Sequence, residues 1–458
     1  MKVFRKKSAD KQALSYLTKE LTLKDLIMLG IGAVIGTGIF VITGQASANY
    51  AGPALSASFI VAAIVVILSG LCFAEFASRV PISGGPYGYM YVVFGELSAW
   101  MAGWFLICEY MLAVSSVASG WSGYVQGFLG SINLSLPHAL TASYNPKEGT
   151  YVDLIAALVI IFITLWVTQE VKKALRLNNL MVWVKFGIII LFIVVGVFYV
   201  DPNNWQPFMP YGTKGVMNGA ALVFFAFLGF DAISMAAEEV KNPQKDIPRG
   251  IIGAIVIATL LYITVTMILT GIVPFEQLGI GDPVAFAMRY VNKGFIGSII
   301  SVGAILTLLT VTISMLYSLA RLIYAISKDG LLPSFLQKID EKRRTPKNAT
   351  YVAGGIALFF AAAFPLTILA ELTNITGLAC LVMMSLGILR LRKQLGAPQK
   401  GEFRVPFVPV LPLVSVIACI FLMTRFSGVT WLVFGITSVI GLIIYFVYGY
   451  QHSHLNKK

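Results

Sequence analysis

Apolar runs of about twenty residues, separated by short polar stretches, recur along the whole 458-residue chain. An α-helix needs roughly 20 apolar residues to cross the ~30 Å hydrocarbon core of a bilayer. The pattern predicts twelve such spans, over residues 22–44, 54–79, 94–126, 152–169, 178–200, 215–237, 250–273, 295–327, 349–364, 367–389, 406–424 and 429–449. The longest connections, 127–151 and 328–348, are too short for a separate soluble domain. The class this implies is an all-α polytopic membrane protein.

Composition sharpens the picture. Hydrophobic residues make up 57% of the chain and charged ones 12%, about half the charged share of a soluble domain. The net charge of +13 would fit a nucleic-acid binder if it were clustered on one soluble face. Instead it follows topology. Taking alternate ends of the spans, one side holds Lys2, Arg5, Lys6, Lys7, Lys11, Lys172, Lys173, Arg176, Lys241, Lys245, Arg249, Lys342, Arg343, Arg344, Lys347, Arg390, Arg392, Lys393, Lys400 and Arg404. The other holds only Lys147, Lys214, Arg289, Lys293 and Arg425. The basic side faces the cytoplasm. Both termini are then cytoplasmic, and the basic surface meets anionic lipid rather than nucleic acid.

Two spans carry an anomaly at their centre. Span 1 contains "GIGAVIGTGIF", with Gly30, Gly32, Gly36 and Gly38. Glycine weakens a helix interior by about 1 kcal/mol relative to alanine. Span 6 reads "AALVFFAFLGFDAISMAAEE", where Gly229 and Asp231 interrupt an aromatic-rich run. The second break comes five spans after the first, which points to a five-plus-five inverted repeat with a binding site between the halves. The repeats would be 22–200 and 215–390. Spans 11 and 12 (406–449) would be appended, flanked by a 1–21 segment and a 450–458 tail. A helix broken inside a membrane exposes N–H groups where its second half starts and C=O groups where its first half ends. The N–H end favours a carboxylate and the C=O end an ammonium. A zwitterion such as an L-amino acid fits both. The alternative use of the glycines is close helix packing.

At these residues the chain resembles a known family. "IGAVIGTGIFVITG", "AGPALSASF", "LCFAEFASRVPISGGPYGYMYVVFGE", "FFAFLGFDAISMAAEEVKNPQKDIPRGI" and "RLIYAISKDGLLP" are similar to blocks of the amino acid–polyamine–organocation superfamily. Within it, the chain is most similar to a bacterial form of the cationic amino acid transporter family. The resemblance implies the leucine-transporter-type fold, alternating access and substrate held at the breaks in spans 1 and 6. It also implies a bacterial inner-membrane carrier coupled to protons and not to sodium, with no other cofactor and no metal. On this expectation the substrate carboxylate meets the N–H groups of Thr37, Gly38 and Ile39. The ammonium meets carbonyls of Val34 or Ile35 and of Phe225, Ala226 or Leu228.

Charges inside the spans mark pathways by default. Lys185 lies deep in span 5. The resemblance implies that it replaces a bound cation and carries the proton signal, with Ser314 of span 8 as its neighbour; the alternative is a fixed structural ion pair. Asp231 is either the N-cap of the second half of span 6 or a counter-charge for the substrate. Glu109, in span 3, reads as lining the cavity and favouring cationic substrates. Glu75 and Arg321 read as structural or gate charges. Phe225 is a candidate lid among Phe224, Phe225 and Phe227, and Met315 either limits the pocket or fills a core gap. Span 8 carries Thr307, Thr310, Ser314, Ser318 and Arg321 on one face.

Other classes fit less well. A channel would need rings of like residues, an embedded enzyme would need catalytic histidines within the spans, and an ATP-driven pump would need GxxxxGK[ST]; none is present. The expected function is proton-coupled uptake of small neutral or cationic L-amino acids, such as alanine, arginine and lysine. A sodium-coupled carrier or an exchanger of the same fold is the rival. A protein partner is not indicated either way.

Overall fold

Lipid offers the backbone no hydrogen bonds, so an apolar chain must satisfy its N–H and C=O groups within each segment. The computed structural model describes residues 5, 21–80, 85–235, 240–340, 345–399 and 402–456, with backbone alone for 170–180. Among these the secondary structure is helical apart from three isolated bridge pairs. Eight helices are long and apolar enough to cross a membrane, and two shorter apolar helices accompany them. Of the basic residues that set the expected topology, Lys2, Lys6, Lys7, Lys11, Lys342, Arg343, Arg344 and Lys400 lie outside the described residues, as do the side chains of Lys172, Lys173 and Arg176.

The helices used below are α1 (Leu23–Val34), α2 (Leu55–Arg79), α3 (Gly85–Val93), α4 (Glu96–Ser131), α5 (Leu154–Gly196), α6 (Gly212–Val223), α7 (Ala232–Met235), α8 (Pro243–Ile272), α9 (Pro283–Tyr290), α10 (Gly294–Lys328), α11 (Lys347–Ala363), α12 (Leu366–Leu395), α13 (Val410–Met423) and α14 (Gly428–Ile444). Expected spans 2, 3, 7, 8 and 10 correspond to α2, α4, α8, α10 and α12. The structure differs from the sequence pattern in three places. Helical backbone runs without interruption through α5, across the polar stretch that divides expected spans 4 and 5. The second half of span 1 is wound as π-turns, Gly38–Ile42 and Ser47–Ala51, around one α-turn, Thr43–Ala46. The short helices α3 and α9 lie in connections that the pattern leaves as loops.

Helix α4 is central, packed along α10, α11 and α12, while α2 packs on α8 and α1 on α8. Buried carboxylates tie helix ends together. Glu75, fully buried in α2, receives a bidentate bond from Arg392 of α12: Nε to Oε1 at 3.0 Å and Nη2 to Oε2 at 2.6 Å. The Val405 N–H donates to the same Oε2 at 2.8 Å. This bears out a structural role for Glu75. Arg321 serves elsewhere, exposed and stacked 4.2 Å from the Tyr317 ring centroid. Glu96, also fully buried, accepts from Tyr445 at 3.0 Å, from Tyr91 at 3.4 Å and from Ser453, which docks the chain after α14 onto the start of α4. At the other end of α12, Glu371 accepts from Thr430 at 2.6 Å and Ser427 at 3.0 Å. The four cysteines are buried and free.

Removing one partner of a buried ion pair leaves the other charge uncompensated, at a cost of about 3–5 kcal/mol. Arg392→Ala is therefore expected to lower thermal stability by several degrees in detergent. An unchanged melting temperature would mean that Arg79, whose Nη1 already lies 3.5 Å from Glu75 Oε1, compensates the buried charge by itself.

Candidate functional site

Span 1 unwinds where the glycines place it. α1 ends at Val34, Ile35 turns extended (φ −73°, ψ 109°), and helix resumes around Thr37. In span 6, α6 gives way to a 3-10 turn, Phe224–Phe227, and then to an extended Leu228 (ψ 139°). Gly229 follows at φ +98°, a left-handed conformation that side-chain-bearing residues rarely adopt. α7 begins after Asp231. Both expected breaks are thus present.

Gly30, Gly32, Gly36 and Gly38 of span 1 each admit a different neighbour. A Cβ at Gly30 would lie 2.5 Å from Ile233 Cδ1 and one at Gly32 3.0 Å from Val182. At Gly36 it would lie 3.3 Å from Val311, and at Gly38 2.3 Å from Ala226 Cβ and 2.4 Å from its Cα. Close packing and the break are therefore the same feature: the glycines let span 1 touch spans 5, 6 and 8 while it unwinds.

Between the breaks lies a small, narrow cleft lined by Ala33, Val34, Gly36, Thr37, Gly38, Val117, Phe225, Leu228, Val311 and Met315. It carries no charged side chain. Six of the expected site residues line it: Val34, Thr37, Gly38, Phe225, Leu228 and Met315. Ile35, Ile39 and Ala226 are buried beside it without lining it. Thr37, Gly38 and Ile39 open the second half of span 1, where N–H groups lack an intrahelical acceptor; among the described residues no other backbone acceptor is recorded for them. The buried Thr37 hydroxyl is also without a partner.

The acidic residues sit elsewhere. Glu109 and Asp231 line a second small cavity, with Phe73, Pro86, Leu106, Phe224, Gly377, Cys380 and Leu381. Leu228 lines both cavities and forms the wall between them. Tyr110 donates to Asp231 Oδ2 at 3.3 Å. The three phenylalanines therefore part ways: Phe225 faces the cleft, Phe224 the acidic cavity, and Phe227 packs its ring on Phe59 and Tyr262.

Lys185 is 1% exposed, and its Nζ donates to the Gly32 carbonyl in α1 at 2.8 Å. Among the described residues no carboxylate pairs with it. The Ser314 hydroxyl has no hydrogen-bond partner, so no bond joins it to Lys185. The face of α10 that reaches the cleft is Val311 and Met315, one step round the helix from the polar stripe.

Two residues escaped the sequence reading. The Tyr262 hydroxyl in α8 lies 3.0 Å from the Val34 carbonyl and 2.8 Å from that of Ala226, bridging the two breaks. Asn374 in α12, fully buried, donates to the last α6 carbonyls, Ala221 at 2.9 Å and Leu222 at 3.0 Å. Their signal was a hydroxyl in "LLYITVT" and an amide in "ELTNITG", polar groups that need a partner within an apolar span.

Interrupted helices facing each other across a small cleft in an apolar bundle are the arrangement of a multi-pass membrane transporter, and the relatives agree. The chain belongs to the amino acid permease family, which it matches over residues 21–428. It is 48% identical to a methylthioribose transporter and 45% to the branched-chain amino acid permease BcaP, both of Bacillus subtilis, over 99% of each chain. It is also 33% identical to cationic amino acid transporter 4 of Homo sapiens, over 83% of this chain and 61% of the relative.

With Gly38 already against Ala226, an added methyl must push the breaks apart, and overpacking costs about 1–3 kcal/mol. Gly38→Ala is expected to lower transport by about a hundredfold, as misplacement of a binding group by ~1 Å can do. Uptake within twofold of the parent would place the substrate away from these breaks.

Proposed function

We propose that this protein takes up neutral L-amino acids with apolar side chains by proton-coupled, sodium-independent alternating access. The observation that carries this is the cleft between the breaks: helix-start residues Thr37 and Gly38, with Ile39 beside them, whose N–H groups suit a carboxylate, apolar walls at Val117, Phe225, Leu228, Val311 and Met315, and no charged side chain. On this reading the ammonium meets the carbonyls of Val34 or Ile35 and of Ala226 or Leu228. A basic side chain would gain from Glu109 and Asp231 only by passing Leu228, so cationic substrates are disfavoured relative to the first expectation. The name of BcaP, a branched-chain permease at 45% identity, supports the same preference.

The reading includes a five-plus-five inverted repeat, 22–200 and 215–390, with 406–449 peripheral, in a cytoplasmic membrane with both termini inside. It assigns coupling to Lys185, whose ammonium holds span 1 through Gly32 and has no carboxylate partner among the described residues. Loss of its proton would release that contact and favour inward opening. Phe225 is the lid, and Met315 sets the depth of the pocket.

A second reading follows from the 48% relative: methylthioribose is uncharged and has an apolar thioether end that the same walls would accept, but it lacks the carboxylate and ammonium that the breaks suit. The test is uptake of labelled leucine and alanine into proteoliposomes under an inward proton gradient, with excess valine, arginine or methylthioribose. Competition by valine and not by arginine is expected. Arginine competing as well as valine would bring the acidic cavity into the site; competition by methylthioribose alone would favour the second reading.

Two variants separate the roles of the charges. Lys185→Ala is expected to abolish pH-driven accumulation, and full retention would assign coupling elsewhere. Glu109→Gln is expected to leave half-saturation for leucine within about twofold, because a group that makes no contact with the ligand contributes no differential binding.

A further inference from the structure

The Tyr262 hydroxyl carries one proton but faces two carbonyls, Val34 O at 3.0 Å and Ala226 O at 2.8 Å, one from each broken span. The residue is 0% exposed. Its ring is wedged against Phe59, with centroids 5.0 Å apart, and Phe227, 5.6 Å apart. The ring therefore cannot swing, while the hydroxyl can turn between its acceptors. These are two of the carbonyls to which the proposed function assigns the substrate ammonium. A phenolic oxygen also accepts hydrogen bonds.

We propose that Tyr262 is a positioning residue that stands in for the substrate ammonium when the site is empty. This rests on the reading of the cleft as an amino acid site. In the empty carrier the hydroxyl donates to the broken-helix carbonyls and holds spans 1 and 6 together, so the empty site can close and reorient. When substrate enters, its three ammonium protons take over Val34 O and Ala226 O, and the hydroxyl is no longer the donor that holds the two breaks together. Without the hydroxyl, the loaded carrier keeps its donors and the empty carrier loses them. An unpaired buried carbonyl costs enough to matter at this step.

Exchange needs only the loaded carrier to reorient, whereas net uptake also needs the empty one to return. The experiment compares the two in proteoliposomes, using leucine, for the parent and Tyr262→Phe. Net uptake under a proton gradient is expected to fall about tenfold, while counterflow against saturating internal leucine stays within about twofold. Both rates falling in parallel, or neither falling, would overturn the role of Tyr262. Should Tyr262→Phe not fold, 3,5-difluorotyrosine incorporated at position 262 keeps the shape and strengthens the donor. It should favour the empty carrier and raise the half-saturating leucine concentration; an unchanged value overturns the proposal. A parent protein that neither accumulates nor exchanges any neutral amino acid would remove the functional reading itself, a result visible before any variant is made.

Discussion

Every backbone N–H and C=O in an apolar bundle must find a partner within the protein, and the two interrupted helices violate that rule at its most exposed point. The rest of the site is arranged around this debt. Asn374 takes the last carbonyls of α6, Tyr262 takes one carbonyl from each break, and Gly229 supplies the left-handed turn that lets Leu228 and Asp231 point to opposite purposes. What remains without a backbone acceptor among the described residues, the N–H groups of Thr37 to Ile39, begins at the two residues, Thr37 and Gly38, that line the cleft. The polar groups at the centre of the molecule are thus divided between those the protein satisfies itself and those a ligand can reach.

Packing enforces the same division. Span 1 approaches its neighbours so closely that each of its glycines meets a different side chain, and Gly38 rests on Ala226 with no room for a methyl group. Closely packed elements of this kind move as units rather than deform. Contacts at the helix ends, Glu75 with Arg392 and Glu371 with Ser427 and Thr430, tie α12 to α2 and to the start of α14. Lys185, by contrast, reaches span 1 through a single carbonyl. That contact is charge-assisted, so of the contacts described on the broken helix it is the one whose strength depends most directly on a change of charge.

The separation of charge from the cleft bears on selectivity. Glu109 and Asp231 share a cavity with each other, not with the N–H groups of span 1, and Leu228 is the wall. A substrate recognised by its carboxylate and ammonium at the breaks would present its side chain to Val117, Val311 and Met315. Relatives with different named substrates on one family architecture are consistent with specificity residing in such walls.

The helical class, most of the spans and both breaks were legible in the sequence, because apolar length and glycine placement act locally. The candidate site was legible in part. The glycines of span 1 and the LGFD segment of span 6 announced themselves as backbone anomalies within apolar runs. Tyr262 and Asn374 passed unnoticed because one hydroxyl or amide among apolar residues shows no partner until the fold provides one. The expectation that Glu109 lines a cavity followed from its depth in span 3; that this cavity meets the cleft only through Leu228 could not be read there, because depth does not say which side of Leu228 a carboxylate faces. The sequence by itself determined which stretches form long apolar helices and where two of those helices fail, since both depend on residues adjacent along the chain. Only the tertiary structure decided which groups meet across those failures, since Val34, Ala226 and Tyr262 are far apart in sequence and are joined by packing alone.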